Sequence, residues 1–146
     1  MTRARPSSIS RAARLAIVAH ARREAPRECC GLLVGSGRRV VLALPMTNVD
    51  GRPRTGFRID PAEHIAVRRV LRRAAPSLEI VGVYHSHPSG PATPSARDVA
   101  ESHYPDWLFV IVAGSGRALR VFQIAGGIVT PVETRCASAR RRRSSR

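Results

Sequence analysis

The chain has 146 residues, 43% of them hydrophobic, which suits one compact domain with a real core and excludes disorder throughout. All 25 basic residues are arginine against 10 acidic ones, and the resulting formal charge of +15 favours acidic partners without naming a fold. No apolar run is long enough to span a bilayer, and none follows the basic N-terminus as a secretory signal requires, so the expected compartment is the cytoplasm with no membrane partner.

Residues 1–8 are polar and basic and are expected to be disordered. From Ile9 to about Glu24 apolar side chains recur at helical spacing (Ile9, Ala13, Ala16, Ile17, His20), with Ser8 or Ser10 as cap and Pro26 as stop. Cys29 to Val34 is a short apolar strand; Gly35-Ser36-Gly37 turns the chain, and Arg38 to Leu44 returns beside it. A loop to Thr55 and a short extended piece, Phe57 to Asp60, lead to a second helix. Asp60 is its cap, Pro61 its first residue, and Ile65, Val67, Val70 and Leu71 its apolar stripe. Leu78 to Tyr84 reads as a central strand. Residues 88–94 hold three prolines and form a stiff loop, Ser95 to about His103 a short helix, and Trp107–Ala113, Leu119–Ile124 and Ile128–Val132 three further strands. The order implies α/β architecture: one mixed sheet with helices against it, over residues 9–134. Residues 135–146 carry Arg140 to Arg143 and read as a basic disordered tail. Such a tail can touch nucleic acid nonspecifically, but no recognition module accompanies it.

Cys29, Cys30 and Cys136 are an odd count with two adjacent, a poor disulfide framework, so reduced thiols are expected, the first two as small buried side chains.

The chemistry concentrates elsewhere. His85 and His87 are two apart at a strand end, so their imidazoles leave the same face and can converge on one ion. The proline-rich loop then reverses the chain, and Ser95 caps a helix whose first turn holds Asp98, placed to add a carboxylate. Two imidazoles and one carboxylate, with a fourth position open, form the expected ligand set of a catalytic zinc. Glu28, at the head of an apolar strand, adds the carboxylate that metal-assisted hydrolysis needs as proton carrier. Each piece has a plainer reading: a solvated His pair, a capping box formed by Ser95 and Asp98, a solvated strand end at Glu28. Their joint occurrence favours the metal site.

Glu28, then His85-x-His87, seven residues, Ser95, two residues and Asp98 resemble the JAMM motif of the MPN-type zinc metallopeptidases. Glu-x-Cys-Gly-Leu-Leu-x-Gly, Val-Gly-x-Tyr-His-Ser-His-Pro and Phe57-Arg58-Ile59-Asp60-Pro61 are similar to the bacterial branch of that family. The resemblance spans roughly Ile9 to Val132. It implies a single MPN-like (cytidine-deaminase-like) domain with a mixed curved sheet between helices. It implies one Zn2+ per chain held by His85, His87 and Asp98, with Glu28 as general base and acid and Ser95 steadying the attacking water or the oxyanion. It implies as substrate an amide or isopeptide bond at the C-terminal Gly-Gly of a ubiquitin-like, sulfur-carrier protein. Two rival readings remain: a noncatalytic MPN-like scaffold, against which no ligand is missing, and a RadC-like DNA-associated protein, whose His-x-His-Pro-Ser-Gly segment is similar to His85 to Gly90 but which the Glu28 strand does not suit.

Overall fold

A computed structural model describes residues 5–114 and 116–137. In chain order the elements are β1 (Ser7–Ser10), α1 (Arg11–Glu24), β2 (Cys30–Ser36), β3 (Arg39–Met46), α2 (Pro61–Ala74), β4 (Glu79–His87), α3 (Ala96–Ala100), β5 (Leu108–Ala113), β6 (Ala118–Ala125), β7 (Ile128–Pro131) and β8 (Thr134–Ala137). The strands form one mixed sheet in the order β7-β6-β5-β4-β2-β3-β1-β8.

Local chemistry accounts for the elements. Ser10 accepts a hydrogen bond from the Ala13 N–H and starts α1; Asp60 does the same for the Ala62 N–H, ahead of Pro61 in α2. Gly37, at φ 57°, makes the tight turn that folds β3 back on β2. β2 pairs antiparallel with β4, whereas β5 pairs parallel with β4, so the chain between them must cross over; the proline loop and α3 make that crossing. Open α/β sheets place their ligands outside the carboxyl ends of their strands, where the strand order reverses. That end of β4 is His85-Ser86-His87.

Two apolar layers cover the sheet. On one face Ala13, Ile17 and Ala21 of α1 pack on Cys29, Leu33, Tyr84, Val110 and Val112. On the other, Phe109, Ile111, Phe122 and Ile124 gather with Ala92, and Phe57, Val83 and Val99 close over them. Each fully buried Ile, Leu or Phe here contributes about 1.5–3 kcal/mol of transfer free energy. Gly31 lets the Tyr84 ring lie flush on β2: a Cβ there would stand 2.2 Å from a ring carbon.

The sequence expectations are corrected at both ends of the described chain. The N-terminal disorder expected through Ser8 does not reach that far, because Ser7 and Ser8 belong to β1, which pairs parallel with both β3 and β8. Ile9 lies in that strand, and α1 starts at Arg11. At the other end, Arg135 and Cys136, expected in the tail, lie in β8. Residues 1–4 and the arginine run 140–143 lie outside the described residues. The apolar stripe of α2, on whose burial the sequence is silent, is largely exposed: Ile65 and Val70 are 52% and 61% exposed, and no residue of the helix is buried.

Candidate active site

Three backbone ties bring Glu28 to the end of β4. The Cys29 N–H donates to Ser86 Oγ at 2.8 Å, the Ser86 N–H donates to the Cys29 carbonyl at 3.1 Å, and Cys30 pairs in register with His85. From the other side the Glu28 N–H donates to the Pro53 carbonyl at 2.7 Å, and the Asn48 amide donates to the Glu28 carbonyl at 3.0 Å. Glu28 is thus fixed at its backbone, 5% exposed, with Oε1 3.9 Å from Nε2 of both His85 and His87.

His85 is fully buried. Phe57 stacks on its ring at 4.4 Å and Phe109 meets it edge-on at 5.3 Å. This apolar jacket pulls its pKa down, which favours the neutral imidazole. Its Nδ1 is, among the described residues, the buried side-chain polar atom without a hydrogen-bond partner. His87 is oriented differently: Nδ1 lies 2.7 Å from the Pro91 carbonyl, to which it donates. In the neutral ring this leaves Nε2 with a free lone pair aimed at the site, the arrangement by which ligand histidines are usually held. The hydrogen bond to Asp98 is the main reason the His87 pKa is raised.

The capping box of α3 positions Asp98. Ser95 Oγ accepts from the Asp98 N–H at 3.1 Å, and Asp98 Oδ2 accepts from the Ser95 N–H at 2.9 Å. The same Oδ2 lies 3.2 Å from Nε2 of both histidines, whose nitrogens are 2.9 Å apart. Burial opposes the Asp98 charge, but the hydrogen bonds from His85, His87 and Ser95 outweigh it and hold the carboxyl well below its usual range. The capping reading of Ser95 and Asp98 and the metal-site reading therefore describe one arrangement. The cap uses a lone pair of the serine hydroxyl and leaves its O–H free to donate.

These residues fit a zinc ion. Ligands about 2.0–2.1 Å from a tetrahedral zinc stand about 3.4 Å apart, close to the triangle seen here. Without the protons that the imidazoles share with Asp98, two bare nitrogens and a carboxylate oxygen at such distances repel one another, and a cation in place of those protons turns the repulsion into attraction. Glu28, His85 and His87 also form a donor group able to hold a metal. Two carboxylates thus compete for the third position, and Asp98 is the nearer to both imidazoles.

Glu28 has its pKa pushed up to about 7, first by burial and then by the Asp98 charge, with His87 pulling the other way. A carboxylate poised there takes and returns a proton near neutrality. Burial drives the thiols of Cys29 and Cys30 up to about 11 and about 12, which suits packing and not nucleophilic work.

All five residues singled out in the sequence meet at this site, and Glu28, His87 and Ser95 line one cleft of about 300 Å³. A larger, apolar cleft of about 470 Å³ lies beyond His85, lined by Phe57, Ile59, Trp107 and Phe109, and does not reach Glu28. Sequence reasoning missed Phe57, Phe109, Pro91 and Asn48. Asn48, a turn-forming Asn in a loop, and Pro91, four residues from His87 in the proline-rich loop, carry local signals; Phe57 and Phe109 act through contacts between distant segments.

The family model for prokaryotic homologs of the JAB domain matches residues 10–124. The chain belongs to that family. As a JAB-domain protein it is 36% identical to a desampylase of Haloferax volcanii over 75% of this chain and 82% of the relative. It is 38% identical to a CysO-cysteine peptidase of Mycobacterium tuberculosis, over 79% of this chain and 80% of the relative. Among solved structures, a Desulfitobacterium hafniense protein superposes with a TM-score of 0.79 at 28% identity, covering 90% of this chain and 93% of that one. A structure described as a JAMM metalloprotease-like zinc site in the proteasome and signalosome superposes with a TM-score of 0.55 at 19% identity, over 88% of this chain and 97% of that one, and shows the fold alone. The α/β fold expected for the JAMM/MPN class is therefore the fold of this JAB-domain chain. No helix among the described residues is long and apolar enough to cross a membrane.

Proposed function

We propose that this chain is a zinc-dependent peptidase that hydrolyses an amide or isopeptide bond at the C-terminus of a ubiquitin-like, sulfur-carrier protein. The observation that carries the reading is the convergence of Asp98 Oδ2 and two imidazole Nε2 atoms within 3.2 Å, with Glu28 standing 3.9 Å off both imidazoles. The names of the relatives, a desampylase and a CysO-cysteine peptidase, support the substrate class.

His85, His87 and Asp98 would hold one zinc ion per chain. When bound, the ion polarises the scissile carbonyl and makes water a better nucleophile near neutral pH. Glu28, kept out of the ligand set by its greater distance, takes a proton from the attacking water. The Ser95 hydroxyl, its cap bond made through a lone pair, donates to the oxygen on which charge builds. Glu28 then passes its proton to the departing amine, and the Phe57–Phe109 jacket excludes bulk water from His85.

The test is incubation of the zinc-loaded protein with ubiquitin-like carriers extended beyond their terminal Gly-Gly, read by intact mass. Loss of the extension, abolished by Glu28→Ala, is the expected result. Unchanged mass across carriers with peptide and isopeptide extensions contradicts the reading.

A further inference from the structure

A general acid must reach the amine it protonates, and of the two clefts that Glu28 lines only one also holds His87 and Ser95, so the leaving side of the scissile bond lies there. That cleft is small, at about 300 Å³, and its walls include Pro88, Pro91 and Pro94, which leave them little freedom to open. Arg54 and Thr55 line it together with His87 and Ser95. Arg54 is the one arginine lining it among the described residues. It forms no ion pair with Glu28 or any other described carboxylate, whereas Arg97 is held by Asp50 and Glu101. Arg27 and Arg52 share an adjoining hollow with Arg54, so the cleft's mouth is positive.

The loop beneath Arg54 is fixed. The Pro53 carbonyl takes the Glu28 N–H at 2.7 Å, and the Thr55 N–H donates to the Arg52 carbonyl at 3.1 Å, so bonds anchor the chain on both sides of Arg54. Asn48 ties the same loop together, donating to the Glu28 and Gly56 carbonyls at 3.0 Å and accepting from the Asp50 and Arg58 N–H groups at 3.0 and 3.1 Å. Arg54 is an exposed arginine whose backbone is anchored beside the proton carrier and whose guanidinium pairs with no described carboxylate, so its fork can take a planar anion on the departing fragment.

We infer that Arg54 binds the free carboxylate of the leaving group, so that this site prefers to release a single amino acid or short peptide from the end of its acyl partner. The inference rests on the proposed hydrolysis. In that step the C–N bond breaks, water adds its oxygen to the acyl carbon, and the amine leaves with the proton carried by Glu28. A lysine in isopeptide linkage offers no such carboxylate, because its own is part of the backbone.

The experiment uses a ubiquitin-like carrier extended beyond Gly-Gly by one alanine, prepared as free acid and as carboxamide. The zinc-loaded parent is expected to cleave the acid with a kcat/KM about fivefold above the amide, the upper end for an ion pair made by an exposed arginine. Arg54→Ala brings the two substrates within about twofold, through KM, and Arg54→Lys restores part of the difference. Equal cleavage by the parent, or a preference that survives Arg54→Ala, overturns the inference and leaves the proposed function standing. Calorimetric binding of both carriers to Glu28→Ala and to the Glu28→Ala, Arg54→Ala double variant supplies a readout free of turnover. If neither carrier is cleaved, the proposed function fails, and equal affinities of the two forms for Glu28→Ala then overturn the role of Arg54 separately.

Discussion

Glu28 stands in surroundings that oppose its charge. A carboxylate prefers water, and this one is buried beside a second carboxylate, with its pKa raised from 4.5 to about 7. In zinc-free protein the folded state holds the Glu28 proton more tightly than the unfolded state does. The contribution of Glu28 to stability is therefore greatest below pH 4.5 and falls as pH rises through about 7. Glu28→Gln removes that dependence. Chelator-treated Glu28→Gln should melt above the parent at pH 8, with the gap closing toward pH 4.5; a gap independent of pH contradicts the burial argument. Ser95 caps α3, and the proposed mechanism gives it a second task with a different signature. Ser95→Ala loses a cap worth about 1 kcal/mol and an oxyanion donor worth about 10²-fold in turnover, so melting and steady-state rates should fall together. Ser95→Asp retains a cap and lacks the donor, so its rate should stay low while its stability recovers.

Among the elements, the loop from Thr47 to Phe57 does more for the site than its lack of regular structure suggests. Asn48 makes four hydrogen bonds, to Glu28, to Asp50 and Gly56 within the loop and to Arg58 just past it, and Arg97 of α3 pairs with its Asp50, so the segment carrying Glu28 and the helix carrying Asp98 are clasped together. Asn48→Ala should cost about 1–3 kcal/mol by denaturant titration and lower turnover while zinc content holds. Unaltered turnover would mean that Glu28 is positioned by its ties to Ser86 and Pro53 alone. At β2, Gly31→Ala sets a methyl into the Tyr84 ring and against the Leu44 carbonyl, 2.2 and 2.5 Å away, and should destabilise by about 1–3 kcal/mol in the same titration. In α2 the helical period was legible, as were its Asp60 cap and Pro61 start. Burial was not, because period reports that one face is apolar and not whether another element covers it.

Over the whole molecule, what could be read from the sequence was what short segments encode. The strand end bearing two histidines, the capped turn bearing Asp98 and the apolar strand after Glu28 are each written within a few residues. What escaped was pairing at long range. β1 and β8 are four residues each, and they meet across a separation of 127 residues, as in Ser7 with Thr134, with nothing in either segment to announce the other. The Phe57 and Phe109 jacket of His85 likewise joins three separate segments. The site's central claim is that three of its four titratable side chains hold the ion and Glu28 does not, although Glu28 stands close enough to compete. Zinc stoichiometry of purified parent, Glu28→Ala and Asp98→Ala proteins, by elemental mass spectrometry, decides it. One zinc per chain in the parent and in Glu28→Ala, with none in Asp98→Ala, is the predicted result; zinc lost from Glu28→Ala and kept by Asp98→Ala would make Glu28 the ligand and contradict the account.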